Sequence, residues 1–387
     1  MTKIKLMNKI AAVGTDIFDR AAYEIGENVA APDAIMVRSA ALHEMPLNPE
    51  LLAIARCGAG VNNIPVDACA EKGVVVFNTP GANANGVKEL AVAALILASR
   101  DIIGGVEWVK TLAGETGIAK TVEKGKSAYV GREVAGKTLG VIGLGAIGGM
   151  VANTATALGM HVIGCDPYMT VNAAWSLSRA VVHAAEYDEI YAKADYITLH
   201  VPATPTTKNM INKETIAKMK DGVRIINLAR ADLVNAEDMK AALASGKVAA
   251  YVTDFPTDDM VGTEHAICIP HLGASTIESE DNCAVMAAHQ LDEYIRTGNI
   301  RNSVNYPAVA MPHTGAARLC VLHKNVPALL SQITTAVADA GLNIENLTNG
   351  SKGEYAYTIV ELSATVPEVL LRKCEEIGGV IRVRAIG

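Results

Sequence analysis

Aromatic side chains are scarce in this chain: 4% of 387 residues, with three Phe and two Trp. Half the residues are hydrophobic all the same, so the cores must be built from Ala, Val, Ile and Leu. A basic excess is also missing. The formal net charge is −7, which argues against a nucleic-acid partner, because that affinity needs a cationic face. No CxxC or HExxH occurs. The seven cysteines (57, 69, 165, 268, 283, 320 and 374) are odd in number and scattered, and they read as reduced thiols of a cytoplasmic protein with no metal site. Long apolar runs are absent as well. The most apolar stretch, LAVAALILA at 90–98, is too short to span a bilayer. The N-terminal MTKIKLMNKIAAVG has neither the apolar core nor the cleavage site of a signal peptide.

At this length two or three domains are expected. Residues 1–80 alternate short apolar runs (AIMVRSA, LLAIARCGAG, GVVVFNTP) with helix-length segments, as parallel α/β layers do. Residues 86–112 read as one long apolar helix. From 137 onward, strands and helices alternate in the manner of a doubly wound sheet. A Gly-, Pro- and Asn-rich stretch without periodicity follows, and it reads as a linker. The last seventy residues give strand, helix, strand, strand, helix, strand, a ferredoxin-like order in which the first helix starts at Pro327. The expected fold is therefore α/β, with two doubly wound, Rossmann-like parallel-sheet lobes and a C-terminal βαββαβ domain.

Gly143-Leu-Gly145-Ala146-Ile147-Gly148 is GxGxxG, a weak signal alone. Here a strand precedes it, a helix follows, and Asp166 ends the next strand. In that setting the motif is a dinucleotide site. Gly143 makes the tight turn, Gly145 admits the pyrophosphate, and Gly148 lets strand and helix pack closely. The helix N-terminus favours the anion. A carboxylate at Asp166 suits the ribose hydroxyls and repels a 2′-phosphate, so NAD is expected over NADP.

Three polar groups follow later strands: Arg230 after IINLA, the acids Asp254, Asp258 and Asp259 after AAYVT, and His271 after AICIP. Each alone fits an ordinary surface role. Beside a dinucleotide they form a hydride-transfer set. His takes the hydroxyl proton, Arg holds a carboxylate, and an acid orients the imidazole. In the first lobe, Arg38 and Arg56 each end a strand, and Arg pairs well with a phosphate. Ser39 and the amides near Gly58 add hydrogen bonds. Arg132, just ahead of the dinucleotide strand, is a further candidate that could serve a neighbouring subunit.

VRSA at 37–40, ARCGAGVNNI at 55–64, NTPGAN at 78–83, LHVP at 199–202, NLAR at 227–230 and PHLGAST at 270–276 resemble the D-2-hydroxyacid dehydrogenases. With the tail added, the chain is similar to the phosphoglycerate dehydrogenases that carry an ACT domain. The resemblance implies a discontinuous substrate domain (1–92 and 276–302), an NAD domain (93–275), a linker (303–316) and an ACT domain (317–387). It implies oxidation of 3-phosphoglycerate in serine synthesis by a homodimer or homotetramer. It makes Arg230 and His271 catalytic, and it adds His200, Val201, Pro202, Ala229, Asp254 and Gly273 to the NAD contacts. The family's DVFxxEP departs here to Asp254-Phe-Pro-Thr-Asp258-Asp259. That places the catalytic acid at Asp259, with Asp258 and Glu264 as alternatives. Ala231-Asp232 stand where the family has two glycines. In serine-inhibited members the effector residues would be His323, Asn325 and Asn343. Other D-hydroxyacid reductases, such as those of hydroxypyruvate or glyoxylate, and NAD-sensing scaffolds share the fold and remain open.

Overall fold

The computed structural model describes residues 1–314 and 316–387; Gly315, in the expected linker, lies outside the described residues. The chain divides into two compact units, Met1–Asn83 with Glu280–Gly387, and Ala84–Ser279.

The first unit opens with a parallel sheet of β1 (Thr2–Met7), β2 (Tyr23–Gly26), β3 (Ala34–Val37), β4 (Ala53–Arg56) and β5 (Val75–Phe77), in the order β2-β1-β3-β4-β5. Both faces are covered, which is why β3 to β5 read as unbroken apolar runs. Ile4, Met36, Ala55 and Phe77 pack with Ala287, Leu291 and Tyr294 of the long helix Ile277–Thr297. Ile35, Val37, Ile54 and Val76 pack with Leu42, Leu51 and Ile64 on the other side. β1 was not singled out from the sequence. Its TKIKLM intersperses lysines, and only Ile4 is fully buried. The strand order reverses between β1 and β3, so a crevice opens at their carboxyl ends.

The second unit holds seven parallel strands: β6 (Thr138–Ile142), β7 (His161–Cys165), β8 (Val181–His183), β9 (Tyr196–Leu199), β10 (Val223–Asn227), β11 (Val248–Thr253) and β12 (Ala266–Cys268). Their order is β12-β11-β10-β9-β6-β7-β8, with the reversal between β6 and β9. The helix Ala84–Ser99 lays Val87, Ala91 and Leu95 against Val141, Ile226 and Val252. The single helix expected over 86–112 is in fact two. Asp101 interrupts it and caps a second helix, Ile102–Thr111, by accepting from the Gly104 amide at 2.9 Å. An aspartate competes with the helical backbone in this way.

The C-terminal part of the first unit is an antiparallel sheet of β13 (Ala317–Lys324), β14 (Ile344–Lys352), β15 (Tyr355–Leu362) and β16 (Val380–Ile386), ordered β14-β15-β13-β16. Helices Leu329–Asp339 and Glu368–Glu375 cover one face through Leu329, Ile333, Val337 and Leu370. The first of them begins at Leu329, not at Pro327 as expected, because Ala328 turns left-handed (φ 62°) ahead of it. The other face puts Cys320, Leu322, Tyr357 and Ile359 into the same core as Leu291, Tyr294 and Tyr306. Arg318 lies on that side, with 0% of its side chain exposed. It donates to Glu361, to the carbonyls of Thr297 and Met311, and to Asn299. Among the described residues no helix is long and apolar enough to cross a membrane.

Candidate functional site

The glycine turn follows β6, at the reversal point of the second sheet. Gly143 has φ +88°, and a Cβ there would lie 2.6 Å from the His200 carbonyl oxygen. A Cβ at Gly148 would overlap the Gly143 carbonyl, whereas one at Gly145 would meet nothing. Two glycines are thus demanded by packing, and the third leaves open space above the first amides of the helix Ala146–Ala157. A pyrophosphate fits that space and those donors. Asp166 ends β7. Its two carboxylate oxygens accept from the amides of Leu144 and Tyr168, both at 2.9 Å, which fixes the group and leaves lone pairs for ribose hydroxyls. His200, after β9, contacts the Thr198 hydroxyl at 2.9 Å. Burial pushes its imidazole down to about 4, so it is neutral at physiological pH and no proton donor. Val201 and Pro202 continue that strand end, and the Pro202 carbonyl accepts from Thr207.

The Arg230 turn is built by Asn227, which is buried at the end of β10. The Asn227 side-chain Oδ1 accepts from the backbone amides of Ala229 and Arg230, and its Nδ2 donates to the Arg230 carbonyl at 2.9 Å. Ala231–Leu233, where the family's glycines are missing, form a 3-10 turn. The Arg230 guanidinium stands 5.6 Å over the Phe255 ring, whose other neighbour is the His271 ring at 4.5 Å. One phenyl ring therefore holds the cation and the imidazole in one place.

The acids of the neighbouring loop are not gathered equally. Asp259 is 67% exposed, with its nearest cation, Lys240, at 3.9 Å. Asp258 is exposed, and Glu264 faces His265 at the surface. No acid among the described residues lies within ion-pair distance of His271. The structure thus does not bring Asp259 to His271. Asp254 is different: it is 1% exposed and its Oδ2 accepts from the Gly273 amide at 3.1 Å. Its Oδ1 is buried without a partner. Burial raises its carboxyl, while the Gly273 amide and the charges of His271 and Arg230 pull it back. An orphaned buried acceptor at this strand end fits an amide donor of a dinucleotide's nicotinamide.

In the first unit, Arg38 follows β3 and Arg56 ends the neighbouring β4, with the register pairing Val37 with Arg56. Arg56 Nε donates to the Arg38 carbonyl at 3.1 Å. Gly58 has φ +148°, and a Cβ there would overlap the Arg56 guanidinium, so the side chain folds across the glycine. The loop after β3 is held by Asn8, which closes β1 in a left-handed conformation and accepts from the amides of Ser39 and Ala40. The loop after β4 is held by Asn78, which donates to the Ala59 carbonyl and is itself bound by Asn302 and Gln290. Arg38 pairs with Glu280 at 2.5 Å. Cys57 lies next to Arg56, and burial pushes its thiol up to about 12, so it is not a nucleophile. Arg132 belongs to the second unit, where it is exposed.

At the tail, His323 is buried. Its Nδ1 must donate to the Lys324 carbonyl at 2.8 Å. Burial lowers its pKa. Its Nε2 meets the Thr358 hydroxyl at 2.8 Å, and that hydroxyl donates to the Asn349 side-chain oxygen at 2.8 Å. Asn325 is exposed and donates to the Gly353 carbonyl. Asn343 lies at the opposite end of the sheet, because β14 enters opposite Leu362 while Lys324 pairs with Tyr355. Within one chain the three expected effector residues are not brought together.

Asn8, Asn78, Phe255 and Glu280 were all missed from the sequence. Asn8 carried a readable signal, a polar residue tolerant of left-handed geometry just after a strand. The others become visible only when distant segments meet.

A family model described as "D-isomer specific 2-hydroxyacid dehydrogenase, NAD binding domain" matches residues 92–273. A Schizosaccharomyces pombe protein named putative D-3-phosphoglycerate dehydrogenase is 31% identical over 371 residues, 87% of this chain and 74% of that one. The D-3-phosphoglycerate dehydrogenase of Methanocaldococcus jannaschii is 34% identical over 83% of this chain, but the match spans only 60% of the longer relative. Among solved structures, the NAD+-bound 3-phosphoglycerate dehydrogenase of Entamoeba histolytica superposes with a TM-score of 0.60 at 25% identity, covering 79% of this chain and 98% of that one. Identity of this order along most of the chain, with the dinucleotide turn intact, makes the protein an NAD-dependent dehydrogenase of the D-isomer-specific 2-hydroxyacid dehydrogenase family.

Proposed function

We propose that the protein oxidises D-3-phosphoglycerate to 3-phosphohydroxypyruvate with NAD, the first step of L-serine synthesis. The observation that carries the substrate is the Arg38–Arg56 pair at the carboxyl ends of β3 and β4, the side of an open α/β sheet that takes its ligand. A phosphate monoester is the anion that two arginines suit best. When bound, the nicotinamide supplies the hydride acceptor. His271 accepts the proton of the C2 hydroxyl as the C2–H bond breaks. Arg230 holds the substrate carboxylate and stabilises the oxygen as it becomes a carbonyl. Asp254, rather than Asp259, supplies the negative charge nearby. In this reading 84–279 handles the cofactor, the first lobe handles the substrate, and 317–387 is an ACT domain.

Serine feedback at that domain is part of the proposal, and the register constrains its form. β14 is a sheet edge. Two copies pairing antiparallel along it would carry Asn343 of one toward the Asn325 end of the other, so the effector site needs two chains.

The test is a substrate panel followed by NADH absorbance at alkaline pH, and by NADH consumption in reverse. Turnover of 3-phosphoglycerate well above D-glycerate and D-lactate is expected. Preference for hydroxypyruvate or glyoxylate would assign a reductase of the same family. No turnover with bound NAD would assign a scaffold.

A further inference from the structure

Arg38 and Arg56 would give the substrate corner two adjacent positive charges. The structure shows that the charge of Arg38 is already answered. Glu280, three residues into the helix Ile277–Thr297, places Oε1 2.5 Å from Arg38 Nη2. The two side chains are 41% and 42% exposed. An incoming anion can therefore reach this pair without unfolding anything.

We propose that Glu280 is a specificity-determining residue that tempers the anion site. Its carboxylate stands in for an anion on Arg38 and must yield, or be tolerated, when a substrate phosphate arrives. It weakens binding of doubly charged tails and weakens singly charged hydroxyacids much less. The corner so built releases a phosphorylated product readily. The proposal rests on the phosphoglycerate reading of the same site.

The physical basis is simple. An exposed ion pair contributes little to stability, so removing the carboxylate costs the fold little. A charge a few ångströms from a dianion repels it appreciably even at a surface dielectric. Glu280→Gln keeps shape and hydrogen-bonding reach while removing the charge.

The experiment measures KM for 3-phosphoglycerate, D-glycerate and NAD in wild type and Glu280→Gln, at low and high salt. The expected result is a roughly three- to ten-fold fall in KM for 3-phosphoglycerate at low salt, shrinking as ionic strength rises. The KM for D-glycerate should fall less, so selectivity for the phosphorylated substrate increases. Glu280→Ala separates charge from shape and should move KM the same way. An unchanged or raised KM for 3-phosphoglycerate in Glu280→Gln overturns the inference, since a residue that merely positions Arg38 would raise it. If wild type does not turn over 3-phosphoglycerate at all, the substrate reading fails instead, whatever Glu280 does.

Discussion

His271 sits against Phe255, with Arg230 near the same ring and the buried Asp254 as the nearby acid. A positioned acid/base contributes on the order of 10²-fold or more, so His271→Asn should lower kcat by about that factor while NAD binding, read by fluorescence titration, persists. Retention of the wild-type rate would remove His271 from the chemistry. The acids separate in the same assay. Asp254→Asn should raise the KM for NAD and shift the pH–rate profile to lower pH, because loss of a nearby negative charge disfavours the imidazolium. Asp259→Asn, far out beside Lys240, should leave the profile in place. A profile moved by Asp259→Asn alone would restore the reading taken from the motif. That reading counted along the chain from Asp254, and counting cannot show which acid is buried.

Turns carry most of what was legible at the level of elements. Gly143, Gly145 and Gly148 were readable because a strand before and a helix after leave few ways to run the chain, and the structure needs glycine at the first and third for contact reasons. The strand ends at Arg38 and Arg56 were readable for the same reason, as apolar runs stopped by a cation. What escaped was set by partners far away in sequence. The helix through 86–112 broke at Asp101, a residue whose capping preference competes with an otherwise helical pattern. β1 was hidden by its lysines. The Gly58 turn gives a test at this scale. Gly58→Ala would place a methyl where the Arg56 guanidinium lies and would strain a backbone that favours glycine. It should raise the KM for 3-phosphoglycerate at least ten-fold, as loss of a charge-assisted pair does, and leave the KM for NAD nearly unchanged. Equal loss of both affinities would show general damage to the lobe instead.

In the whole molecule, the tail is not an appendage on a string. Its sheet shares a core with the first lobe, and Arg318 ties it to Thr297, Asn299 and Met311. Cutting the chain after Met311 would bare Cys320's partners Leu291 and Tyr294, so truncation is a poor way to ask about an effector; point changes at Asn325 and Asn343 are better. The order of strands and helices in this part was visible from periodicity, but its docking was not, because Arg318 and Glu361 are charges in a sequence and a buried pair only in space. Burial alone would raise the Glu361 carboxyl; hydrogen bonds from Arg318 and Thr314 override it and hold the group below its usual range. Such a group stabilises the fold above its unfolded pKa and ceases to do so as pH falls through the lower folded value. Arg318→Ala should therefore cost about 3–5 kcal/mol at neutral pH, seen as a lowered urea midpoint. The gap to wild type should narrow toward acid pH, where Glu361 can protonate. A cost that does not change with pH would mean that lost packing, not the buried charge, sets it.

We propose that the arginine corner of the first lobe selects a phosphorylated D-hydroxyacid. The most direct measurement is the ratio of kcat/KM for 3-phosphoglycerate to that for D-glycerate, in wild type and in Arg56→Ala. Wild type should favour 3-phosphoglycerate by about 10²-fold or more, the worth of a charge-assisted phosphate pair, and Arg56→Ala should lose most of that preference through KM. Equal use of the two substrates by wild type, or an undiminished preference in Arg56→Ala, would contradict it.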